Sequence, residues 1–151
     1  MPTHFTGTRA EMRTLDTFIK LTRCTNSLFA RLAERNTLGD ITPSQFAVLE
    51  ALYHLGSMTQ GEVSTKVLKS GSNMTTVIDN LERDGWVKRE RDAKDRRVIH
   101  VHLTEAGKWK VEAVLPVHVT ALVDEFKVLS VREQETLGAL CKKLGRGRRS
   151  E

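Results

Sequence analysis

Apolar residues along this chain repeat with two different periods, and the changes of period divide it. From about Arg9 to Arg35, Leu15, Phe18, Ile19, Thr22, Phe29, Leu32 and Ala33 recur at spacings of three and four, which predicts one long amphipathic helix. Residues 1–8 carry no periodicity and read as a loose arm. A stripe this long exposes more apolar surface than a small head domain covers, so it asks for a partner: the C-terminal helices or a second subunit. Short helices follow. Thr42-Pro43-Ser44-Gln45 has the N-cap, N1 and N3 residues of a capping box, and Phe46, Val48, Leu49, Leu52 and Tyr53 form the buried face before Gly56. Thr59-Gln60-Gly61-Glu62 is a second capping box leading to Val63, Val67 and Leu68. Ser70-Gly71-Ser72-Asn73 breaks the pattern, which Met74, Val77, Ile78 and Leu81 resume in a helix predicted over 70–84 and closed by Gly85. Two short helices joined by a small-residue turn are helix-turn-helix syntax.

At Trp86 the period falls to two. Residues 86–91 and 98–103 read as strands; in the second, Ile99, Val101 and Leu103 share one face and Val98, His100 and His102 the other. The six residues between, 92–97, carry no apolar anchor larger than Ala93, so they form a cationic loop built to protrude. Thr104 then caps a helix predicted over 105–127, with Glu105 at its positive end. Val111, Val114, Leu115, Val119, Leu122, Val123 and Phe126 make its stripe, and Pro116 predicts a kink because it leaves the Glu112 carbonyl without a donor. Ser130-Val131-Arg132-Glu133 is a third capping box, opening a last helix with Leu137, Leu140, Cys141 and Leu144 that Gly145 is expected to stop. The basic tail 146–151 is expected to be disordered.

Charge narrows the partner. A formal net charge of +5 and a pI near 9.5 favour an anionic one. No apolar run has the length of a membrane span, and the N-terminus lacks an apolar signal core, so no membrane contact and a cytoplasmic location are expected. No GxSxG, P-loop, HExxH or GxGxxG pattern occurs, so the chain is not expected to be an enzyme. His100 and His102 share a strand face without a Cys, Asp or Glu at matching spacing, and His118 has no His four residues away, so neither a metal nor another cofactor is expected.

Arg91-Asp92-Ala93-Lys94-Asp95-Arg96-Arg97, followed by Leu103-Thr104-Glu105-Ala106-Gly107, resembles the wing signature of the MarR family of bacterial transcription regulators. The order of elements extends the likeness over roughly Leu15 to Leu144. Ala93 stands where many members carry Pro. The resemblance implies a mainly α fold with a small β-wing: a winged helix-turn-helix over 41–103, flanked by dimerisation helices over 9–40 and 104–145. It implies a sequence-specific DNA-binding regulator, a repressor, acting as a homodimer on a near-palindromic operator in double-stranded DNA. A small phenolic or other lipophilic effector would release it, bound where the dimerisation helices meet the winged helix. It also implies that Arg97 enters the minor groove and that Asp95 pairs with a nearby arginine to shape the loop.

The residues themselves supply the remaining candidates. With Met74, Val77, Ile78 and Leu81 facing inward, Ser72, Asn73, Thr75 and Thr76 face outward near the helix N-terminus and can bond base edges or phosphates; Ser70 adjoins them. Such residues also serve as caps and turn formers, which is the competing account. Arg96, a further DNA-binding candidate, is adjacent to Arg97 and diverges from it in a tight turn, while Arg91, Lys94, Lys88 and Arg89 read as phosphate contacts or bystanders rather than base readers. Cys24 and Cys141 are expected to be buried structural thiols; the alternative for Cys24 is a redox-sensing thiol, which needs access and a lowered pKa. Two other functions stay open: a winged-helix module whose wing docks an acidic protein, and a thiol-based sensor regulator.

Overall fold

The protein is described by a computed structural model covering residues 5–67 and 71–147. Its elements are α1 (Arg9–Glu34), α2 (Pro43–Leu55), β1 (Met58–Thr59), α3 (Gln60–Val67), α4 (Gly71–Arg83), β2 (Val87–Arg91), β3 (Ile99–Leu103), α5 (Glu105–Phe126) and α6 (Val131–Arg146). The mainly helical fold with a small antiparallel sheet is the expected winged-helix class. The chain forms two compact units, residues 36–119 and residues 1–35 with 120–151, the border falling inside α5.

Helix starts follow from local chemistry. Thr42 and Gln45, Thr59 and Glu62, and Ser130 and Glu133 each exchange side-chain and backbone hydrogen bonds as capping boxes. A fourth box, Thr8 with Glu11, opens α1. Thr104 accepts from the Gly107 amide and so caps α5. That helix continues through Pro116 to Phe126. Gly145 does not stop α6, which runs on to Arg146; Gly147, at φ +63°, is its cap and donates to the Leu144 carbonyl. A helical glycine costs only about 1 kcal/mol relative to alanine, whereas the left-handed cap conformation selects glycine outright. Arg146 is therefore helical, and residues 148–151 of the tail lie outside the described residues.

In the unit 36–119, β1 adds a strand that two residues without alternation could not announce. Met58 pairs with Val101 and Thr59 with His100, so β3 is the central strand in the order β1-β3-β2. The core joins Val48 and Leu49 of α2, Val63 of α3, Met74, Ile78 and Leu81 of α4, Val101 of β3 and Val111 of α5, all fully buried. In the other unit, Leu32 and Ala121 are buried, and Arg31 and Arg35 of α1 bond Glu125 near the end of α5.

One corner sets the positions of α4, β2 and α5. The Trp86 amide donates to the Leu81 carbonyl and the Gly85 amide to that of Glu82, with Gly85 at φ +76°: a Schellman ending of α4. The Gly85 carbonyl accepts from the Thr104 hydroxyl (2.7 Å) and the Trp86 carbonyl from the Thr104 amide (3.1 Å). Gly107 packs so closely that a Cβ there would lie 2.0 Å from the Trp86 carbonyl oxygen. We expect Gly107→Ala to lower stability by about 2 kcal/mol or more, since backbone must move to relieve that overlap. Gly85→Ala should lose roughly 1–2 kcal/mol through its left-handed conformation. Urea unfolding followed by circular dichroism measures both; a wild-type midpoint for Gly107→Ala would contradict the close approach.

Candidate nucleic-acid interface

Met74, Ile78 and Leu81 bury one face of α4, which leaves Thr75, Thr76 and Asp79 exposed on the other. The backbone of Ser72 and Asn73 lies in the first turn of this helix, and its described side chains begin at Met74; Ser70 lies outside the described residues. Thr75 is joined to α3, its Oγ1 accepting from Gln60 Nε2 at 2.9 Å.

Arg89 is not available as the phosphate contact considered for it. In β2 the alternation turns Val87 and Arg89 to the inner face, where Arg89 stands opposite Val101. Its guanidinium reaches Asp79 at 2.6 Å and Glu82 at 2.8 Å, both on α4. Glu82 also accepts the Arg89 amide at 2.8 Å, closing part of the outer edge of β2. Burial pulls the Arg89 pKa down, but the bonds to Asp79 and Glu82 outweigh it and hold the pKa above its ordinary value. Lys88 and Glu90 occupy the other face and pair with each other, and Glu90 also faces His102 at 3.4 Å.

The wing loop is shaped by two aspartates. Asp92 accepts from the amides of Lys94 (2.7 Å) and Asp95 (3.0 Å) and contacts His100 Nε2 (3.1 Å); these bonds, the backbone ones first, hold its pKa below the usual carboxylate range. Asp95 accepts the Arg97 amide and, through both oxygens, its guanidinium at 3.1 Å. That pairing lowers the Asp95 pKa and raises that of Arg97. Arg97 is thus aimed, although 91% of its side chain is exposed. Arg91 donates to the Arg96 carbonyl and closes the loop, while the side chains of Lys94 and Arg96 are exposed.

Asp92 and Gln60 were not singled out from the sequence, and Arg89 was given a different role there. Asp92 was legible, because an aspartate followed by polar residues at a turn bonds its own backbone two and three positions on. Gln60 and Arg89 gave no such signal, since their partners Thr75, Asp79 and Glu82 are set by tertiary packing. Gln60, Ser64, Arg97 and Ile99 line one shallow concavity between the start of α3 and the base of the wing.

Cys24 and Cys141 were expected to be buried, and both are exposed. Their helices carry apolar stripes, but the chain does not cover all of either: Phe18 and Phe29 of α1 and Leu140 of α6 are also largely exposed. Among the described residues no group of three or more His, Cys, Asp or Glu could hold a metal, and no helix is long and apolar enough to cross a membrane.

The MarR family pattern matches residues 41–99. The chain is similar to YkoM, an uncharacterised HTH-type transcriptional regulator of Bacillus subtilis, with 40% identity over 103 residues, 68% of this chain and 67% of that one. Its similarity to the HTH-type transcriptional regulator MhqR of the same organism is 30% over 133 residues, 88% of this chain and 92% of that one. In fold it is similar to BpsR of Bordetella bronchiseptica, whose DNA binding is regulated by 6-hydroxynicotinic acid: TM-score 0.79, 23% identity, 98% of this chain and all of that one. Together with the winged-helix unit and its cationic wing, these relatives show that the chain belongs to the MarR family of DNA-binding transcriptional regulators.

Proposed function

We propose that this regulator is a homodimeric repressor that binds a near-palindromic operator and is released by a small hydroxylated aromatic effector. The observation that carries the DNA reading is the pairing of two presented features in one unit. The outward face of α4, with Thr75 and Thr76, can meet major-groove base edges, while Asp95 aims an exposed Arg97 at a minor groove. Ser72 and Asn73, whose backbone lies in the first turn of α4, and Ser70, which precedes them in the sequence, complete the set of residues we assign to DNA contact. Lys94 and Arg96 supply charge for phosphates around the wing tip, with Arg91 supporting the loop from its base. The winged-helix head is assigned to 41–103 and dimerisation to the helical segments 9–40 and 104–145.

A second copy is the partner we infer for the uncovered apolar residues of α1 and α6, among them Phe18 (64% exposed), Phe29 (60%) and Leu140 (59%). A symmetric dimer presents two heads, which asks for two half-sites about one turn of duplex apart. Occupying that duplex excludes other proteins from it, which is the simplest route to repression. The effector class is supported by the fold likeness to a regulator controlled by 6-hydroxynicotinic acid.

Arg97→Ala should weaken binding to a duplex selected by the wild-type chain by roughly 1–3 kcal/mol, the scale of one specific base-pair contact, with circular dichroism unchanged. Full operator affinity in a folded Arg97→Ala variant would remove the wing from the interface. Leu140→Glu should shift the full chain from dimer to monomer in sedimentation equilibrium and reduce operator affinity, because a carboxylate cannot be buried in an apolar interface without a partner. A Leu140→Glu chain that stays dimeric would place the interface elsewhere. A panel of hydroxylated aromatic acids and phenols should contain compounds that raise the melting temperature and lower operator affinity together. Operator DNA must weaken such a compound by the same factor, since coupling between two binding sites is reciprocal. Stabilising compounds that leave DNA affinity unchanged would argue against effector release.

A further inference from the structure

We propose that His100 is a positioning residue of the wing: its protonated form holds Asp92, fixes the loop that aims Arg97, and so couples DNA binding to the uptake of a proton. The inference rests on the contact between wing and duplex proposed above. Each link of the chain is present in the structure. His100 Nε2 lies 3.1 Å from one oxygen of Asp92, and the other oxygen accepts the amides of Lys94 and Asp95. The Asp95 carboxylate in turn accepts the Arg97 amide and guanidinium. A neutral imidazole has two tautomers, and in one of them Nε2 turns a lone pair towards the carboxylate. The imidazolium donates from both nitrogens, so it holds Asp92 at all times and places a charge on the donor side of the bond.

Carboxylates face this histidine from three elements. On the outer face of the sheet His100 stands between Thr59 of β1 and Glu90 of β2, while His102 stands opposite Lys88. Asp92 meets His100 from the wing loop, and Glu62 of α3 lies within electrostatic reach of it, with Lys66 offsetting part of the Glu62 charge. Glu90 is paired with Lys88 and also faces His102, whose other ring nitrogen bonds the Ser57 hydroxyl. Asp92 has no lysine or arginine side chain paired with it among the described residues, which marks His100 rather than His102 as the seat of the proton. Loop amides hold Asp92, the Thr59 amide holds Glu62 and Lys88 holds Glu90 below the usual carboxylate range. All three therefore stay ionised between about pH 5 and 8, the window in which imidazole changes charge. A duplex at the wing brings phosphates to the same region and rewards an ordered loop. The complex then holds the proton more tightly than the free chain does, so affinity rises as pH falls and levels off once the free chain is protonated too.

The test is the affinity of the full chain for a duplex selected by the wild type, measured at fixed salt across about pH 5 to 8. The wild type should bind roughly three- to tenfold more tightly at the acid end, within the limit of about tenfold per pH unit that one proton sets. His100→Gln keeps a donor and cannot gain a charge, and Asp92→Asn removes the charge it would meet. Each should give a flatter profile with circular dichroism unchanged. His102→Gln should keep the wild-type profile, because its partner Glu90 lies on β2 and not in the loop. Arg97→Ala should lose most of the pH dependence, since the proton acts through the aim of that side chain. Imidazole NMR signals should show His100 protonated to higher pH with the duplex bound than without it. A pH-independent wild type, a His100→Gln or Arg97→Ala profile as steep as that of the wild type, or equal flattening in His102→Gln would overturn the inference. Those results leave the wing contact standing wherever Arg97→Ala binds more weakly than the wild type. Full affinity in a folded Arg97→Ala variant would overturn both.

Discussion

The geometry of the head depends on the capture of two consecutive carbonyls. Gly85 ends α4 in a left-handed conformation, and the carbonyls of Gly85 and Trp86 are both taken by Thr104, one by its hydroxyl and one by its amide. The same threonine caps α5, and Gly107 brings that helix against the Trp86 carbonyl. Four residues thereby fix where α4 ends, where the first wing strand begins and where the long helix leaves the sheet. None of them needs to touch DNA, yet the angle between α4 and the wing is set here. Two of them are glycines for different reasons: one for a backbone angle, the other for the absence of a Cβ.

Charge on the wing is divided between structure and presentation. Arg89 is paired with Asp79 and Glu82, which ties the first wing strand to α4. Asp92 and Asp95 spend their oxygens on loop amides and on Arg97, so the protruding segment has a defined shape without an apolar anchor. Lys94 and Arg96 remain on the surface as net positive charge. A loop of cations alone would repel itself and spread over many conformations. The acidic residues interleaved with them supply local acceptors, and the order this gives leaves less conformational entropy to lose on binding a partner.

The two units differ in how completely they bury their own apolar residues. Residues 36–119 close a core around α2, α4, the sheet and Val111, which places the first turns of α5 within the head. The helices of the other unit leave large side chains of α1 and α6 uncovered, Cys24 and Cys141 along with them. The helical periodicity of both stretches correctly marks which residues share a face. Periodicity does not say what covers that face, so an expectation of buried thiols failed where an expectation of helix succeeded.

The sequence by itself determined the features whose causes lie within a few residues. Capping boxes at Thr42, Thr59 and Ser130 marked helix starts, the alternation from Val98 to Leu103 marked the central strand, and the turn former Gly85 marked the end of α4. The charged loop and its pairing of Asp95 with an arginine followed from a local motif and a family resemblance. Tertiary structure alone decided what joins distant segments. It made Met58 and Thr59 a strand by supplying β3 as a partner, withdrew Arg89 from the surface by facing it towards α4, and brought Gln60 to Thr75. In each case the residue type permits several partners, and only the packing of one element on another selects among them.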